Sequence, residues 1–386
     1  MNNKNNIKIT ILSMSLITVM AGAAVSPALG SIKQHFSTVD PVLIKMILTV
    51  PGLLILVMNL CFSSISSKLS TKVIALIGLA FYIIGGTSGA FATTIYSLLF
   101  SRALLGIGVG LIMPLSTGLL AYYFEADEQK KLMGYSVAMN NLGGIIAMSL
   151  SGLLAAIQWN YSFFVYLTGV IVFILVLFFL PKDFISRSKD KIEGLILRDK
   201  YIYILIMFLL NVTFYMYIVN FSIIATSEGI ATPENIGVLM SAQSIGALVM
   251  AAFFGKISKK YGRNINKLGI YLFMCSFLML TMFSHYLIYA FALIFCGMGF
   301  GTLMSWVNSK AVEGIEKSNA PRIMSLMSIG MYSGQFLSPL ITSVIGKGFG
   351  VTMLRFPYVL AVVVSCVILI VISFEGRTQK RICSEV

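Results

Sequence analysis

The chain has 386 residues, of which 58% are hydrophobic and only 11% are charged. Soluble globular proteins carry about 25% charged residues. This composition therefore excludes a soluble globular protein and indicates an integral membrane protein. The formal charge of +14 does not indicate a nucleic-acid partner, because the charges stand in short runs between long apolar stretches.

The first apolar stretch runs from Ile9 to Ile32 and follows Lys4 and Lys8. It resembles a secretory signal peptide. However, it is longer than the apolar core of such a signal, and many further apolar stretches follow it. We interpret it as an uncleaved first membrane span.

The number of spans follows from the charge-free windows of the sequence. A helix needs about 20 apolar residues to cross roughly 30 Å of hydrocarbon. Two windows have double length and are interrupted by polar residues, at 158–161 and at 284–286. The ten windows therefore predict twelve spans: 9–32, 46–67, 73–101, 103–124, 132–181, 201–227, 235–255, 268–309, 323–346 and 356–374.

The basic residues predict the orientation of these spans. If the N-terminus is inside, 23 of the 28 lysine and arginine residues lie on the cytoplasmic side. This bias predicts a multi-pass protein of the cell (inner) membrane with both termini cytoplasmic. The charge-rich segment 182–200 joins spans 6 and 7. We therefore predict an N-terminal six-helix bundle at 1–181, a cytoplasmic linker at 182–200 and a C-terminal six-helix bundle at 201–386.

The second half of the chain repeats the first at an offset of 191 to 192 residues. The loop 63–72 falls on 255–264, and four glycines of the first half fall on glycines of the second. Such a parallel repeat predicts an all-α membrane protein with two six-helix bundles related by pseudo-twofold symmetry, and a substrate site between them near mid-membrane. The glycines themselves are also consistent with close helix packing. The aligned pairs are Gly106 with Gly297, Gly108 with Gly299, Gly110 with Gly301, and Gly143 with Gly334.

These loops and span 4 resemble the major facilitator superfamily, and within it the twelve-span drug:proton antiporters. Members carry G-x-x-x-D-R-x-G-R-R between spans 2 and 3, often with an echo between spans 8 and 9. Here the acidic position is Ser67 in the first copy and Lys259 in the second, so neither copy can form the contact that this acid makes between the halves in the family. The motif positions that remain are Lys68, Lys72, Gly255, Gly262 and Arg263.

Span 4 keeps the family pattern R-x-x-x-G-x-G from Arg102 to Gly108. An arginine within hydrocarbon is costly and is a functional hypothesis by default. The resemblance implies a role for Arg102 in coupling or in the electrostatics of a cavity; the alternative is a side chain that snorkels to the outer rim. The Gly-Pro pair that kinks span 5 in the antiporters is Ala147-Met148 here, whereas span 11 keeps Pro339.

No acidic residue falls inside a predicted span, so proton coupling is implied by the resemblance alone. The polar residues inside the spans are few and uncharged. Each by itself is typical of a hydrogen bond between helices, but together we expect them to line a substrate cavity. They are Asn140, Asn141, Asn211, Tyr215, Gln243, Trp306, Tyr332 and Gln335.

The sequence thus predicts a secondary active transporter that exports an amphiphilic small molecule by alternating access. Two alternatives stay open: an uptake or exchange permease for an anionic metabolite, and a non-transporting membrane sensor that kept the fold. No P-loop or H-E-x-x-H motif is present, and the five cysteines show no paired spacing. We therefore expect no enzymatic activity, cofactor, metal or nucleic-acid partner, and a monomer in the lipid bilayer.

The predicted topology is testable with a membrane-impermeant maleimide. In a chain whose five native cysteines are replaced by serine, a Ser188→Cys variant should react only after the cells are permeabilised, because the linker is predicted to be cytoplasmic. A Lys33→Cys variant, on the predicted external loop, is the matched control and should react in intact cells. Labelling of Ser188→Cys in intact cells would contradict the topology.

Overall fold

The computed structural model describes residues 2–184, 200–313, 320–351 and 353–384, and every regular element in these ranges is helical. Most of the predicted linker, residues 185–199, lies outside the described residues, as does the side chain of Arg263. The all-α fold class predicted from hydropathy is confirmed.

The helices of the first half agree with the predicted spans except at two places. The predicted span 9–32 is divided between the first two helices, and the predicted boundary at Arg102 is wrong, because the break between spans 3 and 4 lies before Ile95 and Arg102 is inside the helix that begins there. Span 5 ends and span 6 begins at the polar break around residue 158, as predicted. The elements are α1 (Asn2–Ala23), α2 (Leu29–His35), α3 (Pro41–Ser66), α4 (Thr71–Thr87), the 3₁₀ segment η1 (Ser88–Phe91), α5 (Ile95–Tyr123), α6 (Ala126–Ile157), the 3₁₀ segment η2 (Trp159–Leu167) and α7 (Thr168–Phe179).

In the second half, the break around residue 285 separates spans 9 and 10. Gly262, in the second copy of the loop motif, has a φ of +52°, a backbone conformation that glycine adopts without steric cost. The elements are α8 (Tyr201–Ile218), α9 (Phe221–Ser227), α10 (Pro233–Tyr261), the 3₁₀ segment η3 (Gly262–Asn264), α11 (Ile265–Met282), α12 (Tyr286–Val312), α13 (Ala320–Gly348) and α14 (Phe356–Ser384).

Ten helical segments within the described residues are long and apolar enough to cross a membrane. Three of these segments combine neighbouring elements: α4 with η1, η2 with α7, and α8 with α9. The helices α10 and α13 have 29 residues each, which is also sufficient length. With these two helices the number of spans is twelve.

The described residues form two compact units. The first contains the residues up to 184 together with 225–241, and the second contains 200–224 with the described residues from 242 onward. The first part of α10 therefore packs with the N-terminal unit. The predicted division into 1–181, 182–200 and 201–386 stays a prediction.

In the first unit, α4 and α5 approach so closely that only glycine fits at the crossing. A Cβ atom at Gly108 would lie 2.6 Å from both the carbonyl oxygen of Gly78 and the backbone nitrogen of Tyr82. Real Cβ atoms do not approach backbone atoms to this distance. The absence of a side chain at Gly108 therefore sets the distance between the two helices.

The second unit repeats this crossing between α11 and α12. A Cβ atom at Gly299 would lie 2.8 Å from the carbonyl oxygen of Gly269 and 2.6 Å from the backbone nitrogen of Phe273. Each of these three positions is 191 residues after its counterpart in the first unit. The repeat found in the sequence is thus also a repeat of backbone contacts within each unit.

Two further crossings show the same correspondence. Gly106 lies against the backbone of Pro51, and Gly297 lies against the backbone carbonyl of Gln243. The first and fifth spans of each unit also meet at a glycine: Gly143 packs on the carbonyl oxygen of Leu16, and Gly334 packs on that of Phe208.

Substitution of a crossing glycine should separate the helices. We expect Gly108→Ala and Gly299→Ala each to lower the free energy of unfolding by about 1–3 kcal/mol, because the added methyl group overpacks the crossing. Gly118→Ala, on the same helix as Gly108, is the matched control: its Cβ would have no neighbour within 4 Å, and alanine favours helix by roughly 1 kcal/mol. Thermal melting in detergent measures the difference. Equal melting temperatures in all three variants would contradict the crossing argument.

Candidate transport site

Arg102 lies in the third turn of α5, a helix that begins with a reciprocal capping box between Thr94 and Ser97. Its side chain is 1% exposed. The Nη2 atom donates hydrogen bonds to the carbonyl oxygens of Gly85, at 3.0 Å, and Gly86, at 2.8 Å. Both carbonyls belong to the last turn of α4, where backbone acceptors lack partners within the helix. The guanidinium therefore caps the negative end of the α4 dipole.

Aromatic rings complete the surroundings of this arginine. The guanidinium carbon lies 4.7 Å from the ring centroid of Phe163 and 5.0 Å from that of Tyr166, both on η2. These are cation–π distances, and such contacts are stronger away from water. Arg102 thus joins α5, the end of α4 and the start of span 6. Its predicted role in coupling or cavity electrostatics stays a prediction, and the snorkelling alternative does not describe a side chain buried among these groups.

In the second unit, Arg355 forms a comparable cap. Its Nη1 atom donates to the carbonyl oxygens of Thr281, at 3.0 Å, and Phe283, at 2.8 Å, at the end of α11, and its Nη2 atom contacts the hydroxyl of Ser284. The helices α4 and α11 are the third spans of their respective halves. The sequence alone did not reveal this role, because the repeat offset aligns Arg102 with Leu293 rather than with Arg355.

The predicted cavity residues of the first unit lie on α6. The side-chain oxygen of Asn140 accepts a hydrogen bond of 3.3 Å from the hydroxyl of Thr18 on α1. The amide nitrogen of Asn141 donates to the carbonyl oxygen of Val137 at 2.9 Å, within its own helix. Asn140 therefore contributes to the seam between α1 and α6.

In the second unit, part of the predicted set follows the seam between α8 and α13. Asn211 lies next to Gly334, where its Cβ would be 3.1 Å from a Cβ added at the glycine. The phenol of Tyr215 lies within electrostatic range of that of Tyr332, and Tyr332 and Gln335 are one turn apart on α13 and are both buried. The structure thus brings together Asn211, Tyr215, Tyr332 and Gln335.

The remaining two residues of the set occupy other places in that unit. Trp306 on α12 is 5% exposed and packs edge-on against Tyr203 on α8, with 6.1 Å between ring centroids. Gln243 is buried on α10, where its backbone packs against α12 at Gly297. The sequence interpretation did not include Tyr203, because nothing in the spacing along α8 shows which face of the helix meets Trp306.

The degenerate loop between spans 2 and 3 contacts an acidic residue outside the motif. No ion pair of Lys68 or Lys72 is found within the part of the chain that the structure describes. Instead, the backbone N–H of Thr71 donates to the carbonyl oxygen of Asp183 at 2.8 Å, and the Tyr123 hydroxyl donates to the Asp183 carboxylate. Burial, reinforced by this carboxylate, raises the pKa of Tyr123 above its ordinary value. These contacts fix the end of span 6 to α4 and α5.

Two further motif residues, Gly255 and Pro339, differ in their surroundings. Gly255 is exposed, and a Cβ there would have no neighbour within 4 Å. Pro339 is buried inside α13, next to Ser338, whose hydroxyl donates to the carbonyl oxygen of Val212 at 2.8 Å. Among the described residues, no group of three or more His, Cys, Asp or Glu side chains could hold a metal ion.

Comparison with known proteins agrees with the family resemblance of the loops and of span 4. The sequence profile of the Major Facilitator Superfamily matches residues 11–339. The multidrug efflux pump SdrM of Staphylococcus aureus (strain N315) is 28% identical over 211 residues, which are 53% of this chain and 47% of SdrM. The quinolone resistance protein NorA of Staphylococcus aureus (strain MSSA476) is 26% identical over 207 residues, which are 51% of this chain and 53% of NorA. The chain spans about half the length of the curated relatives it matches.

Solved structures resemble the chain over nearly its whole length. A mutant of the nucleoside transporter NupG superimposes with a TM-score of 0.80 at 12% identity, over 96% of this chain and 99% of that one. A bacterial homologue of the human lysosomal transporter Spinster, in an inward-facing and occupied conformation, gives 0.80 at 12% identity over 98% of each chain. At such identities the likeness shows the fold alone.

The apolar spans and the repeated backbone crossings define a multi-span membrane protein. The profile match covers most of the sequence. The chain belongs to the Major Facilitator Superfamily, as the residues of its loops and of span 4 indicated.

Removal of the Arg102 cap should destabilise the first unit. In Arg102→Met the carbonyl oxygen of Gly86 loses a buried donor, whereas that of Gly85 keeps the hydroxyl of Ser88 at 3.4 Å. An unsatisfied buried group costs about 1–3 kcal/mol. We expect a clearly lowered melting temperature in detergent. Lys267→Met, which removes a charge from an exposed position on α11, is the control and should melt like the parent chain. Identical melting of the two variants would show that the cap does not stabilise the fold.

Proposed function

We propose that this protein exports an amphiphilic, uncharged small molecule across the cell membrane by alternating access. Two kinds of observation support the proposal. The matched curated relatives are described as a multidrug efflux pump and a quinolone resistance protein. The side chains of the predicted cavity set are amides, phenols and an indole, which can bind an uncharged substrate that has both polar and apolar parts.

The main support for an uncharged substrate is the lack of acidic residues within the apolar segments. None of the ten apolar segments contains an aspartate or a glutamate, and the carboxylate of α10, Glu234, lies in the first turn of that helix. A permanently charged cation that left water for such an environment would lose its hydration without gaining a counter-ion. The spans therefore favour an uncharged substrate over a cationic one.

The buried cations do not favour an anionic substrate. Arg102 and Arg355 are 1% and 9% exposed, and both donate to carbonyl oxygens at helix ends. The carbonyl partners lie at the negative ends of helix dipoles and bind Nη2 of Arg102 and Nη1 of Arg355, whereas Nη1 of Arg102 is buried with no hydrogen-bond partner among the described residues. A substrate anion would have to reach an arginine that is only 1% exposed. This observation weakens the alternative of a permease for an anionic metabolite.

Proton coupling is proposed from the family alone. The ten apolar segments contain no carboxylate, and titratable groups at the rims include Glu125, Glu228, Glu234, His35 and His285. The proposed energy source is the proton gradient, with one or more of these rim groups as the site of protonation. A non-transporting sensor with the same fold is the outcome that a negative transport assay would support.

A pair of dyes tests the substrate class. Cells that express the protein should accumulate less Nile red, which is uncharged and lipophilic, than cells with an empty vector, whereas accumulation of ethidium, a permanent cation, should be unchanged. Cell-associated fluorescence measures both. The reason is the missing counter-ion within the spans.

Addition of a protonophore serves as the control for coupling and should abolish the difference in Nile red accumulation. If the protein reduced the accumulation of ethidium more than that of Nile red, the proposed substrate class would be contradicted. Equal accumulation of both dyes with and without the protein would support the sensor. A difference that survives the protonophore would exclude the proton gradient as the energy source.

A further inference from the structure

Four aromatic rings meet where the connection between spans 1 and 2 touches the start of span 6. We call them the outer aromatic cluster: His35, Phe36, Trp159 and Phe163. The imidazole of His35 lies 4.8 Å from the indole of Trp159, with 33° between ring planes, and 4.8 Å from Phe36, edge-on. Phe36 and Phe163 contact the same indole at 5.6 and 6.2 Å. These ring contacts join the end of α2, in the connection between spans 1 and 2, to η2 at the start of span 6.

Burial differs sharply across this cluster. Phe36 and Phe163 are buried, whereas His35 is exposed. The imidazole therefore exchanges protons with water while one of its faces rests against an indole. The distribution of basic residues predicts that this end of the spans is external.

Protonation changes the strength of this contact. A neutral imidazole on an indole is an ordinary aromatic pair, whereas an imidazolium over the same face gains the attraction of a cation to the ring quadrupole, which is largest for tryptophan. Histidine is the side chain whose ordinary titration falls between pH 5 and 8. Acidification should therefore tighten the contact between α2 and η2.

The charged groups around the imidazole come from each packed element. Lys33 lies on α2, and Asp40 and Lys45 lie at the start of α3, where Lys45 is within electrostatic range of both Lys33 and Asp40. The titratable groups of η2 are Tyr161 and Tyr166. Arg102 lies on the other partner of the indole, 4.7 Å from the ring centroid of Phe163. The rings in direct contact with the imidazole are those of Trp159 and Phe36.

We propose that His35 and Trp159 form a proton-responsive contact that fastens α2 to the beginning of span 6. The N-terminal unit then has a stiffer rim in acid than at alkaline pH. This contact registers acidity at a membrane face without any carboxylate in a span, and it is independent of the substrate proposed above.

Tryptophan fluorescence tests the contact directly, because imidazolium quenches indole emission and the chain has only two tryptophans. In purified full-length Trp306→Phe, all emission comes from Trp159. We expect this emission to fall in one single-proton step between pH 8 and pH 5. His35→Gln in the same background should lose the step, and His285→Gln, which removes the other histidine, should keep it.

A double-mutant cycle tests whether the contact also fastens the two elements. The variants are His35→Gln, Trp159→Leu and their combination, measured by thermal melting at pH 5.5 and pH 8. The two substitutions should be less than additive at pH 5.5 and closer to additive at pH 8. This cycle does not depend on the folding of Trp306→Phe.

The proposal is overturned if the emission step persists after His35→Gln or is absent from the Trp306→Phe parent. It is equally overturned if the melting shifts are additive at both pH values. Loss of the step in His285→Gln would assign the titration to the other histidine.

Discussion

Within hydrocarbon, no water is available to pair a backbone N–H or C=O group, so every such group must find a partner inside the protein. Helices meet this requirement along their length but leave four carbonyls unpaired at each C-terminal end. In this protein, Arg102 and Arg355 supply donors to the ends of α4 and α11. An arginine caps the end of the third span in each half, but the two arginines do not occupy corresponding positions of the repeat. What both halves require is a donor for the last carbonyl groups of the helix, and that donor can come from different positions in the chain.

The second condition is close approach of backbones, since lipid provides little hydrophobic force to drive helices together. Gly108 and Gly299 allow the third and fourth spans of each unit to touch through backbone atoms. Unlike the arginine caps, these contacts keep the repeat offset of 191 residues. Glycine cannot be replaced by a residue elsewhere in the chain, because the contact depends on the absence of a side chain at that point of the helix.

As a result, the spans contain almost no charged side chain that a substrate could contact. The guanidinium groups are engaged with carbonyls, the acidic residues stand outside the membrane-spanning segments, and the side chains along the α8–α13 seam are amides and phenols. Discrimination between substrates would then depend on shape, aromatic contact and hydrogen bonding rather than on a fixed ion pair. At the rim, His35 contacts the indole of Trp159, and we propose that the strength of this contact depends on the charge of the imidazole.

The sequence by itself determined the class, the twelve spans and the breaks at residues 158 and 285, because hydropathy, basic-residue bias and the repeat are properties of single segments that can be summed along the chain. It also located the glycine crossings, since aligned glycines in two halves indicate aligned contacts. Only the tertiary structure decided that Arg102 binds the last carbonyls of α4, that Arg355 acts likewise on α11, and that His35 meets Trp159 across 124 residues of sequence. A hydrogen bond or ring contact depends on which helix is the neighbour and on how each is rotated about its axis, and spans that are apolar on every side carry no periodic signal of that rotation.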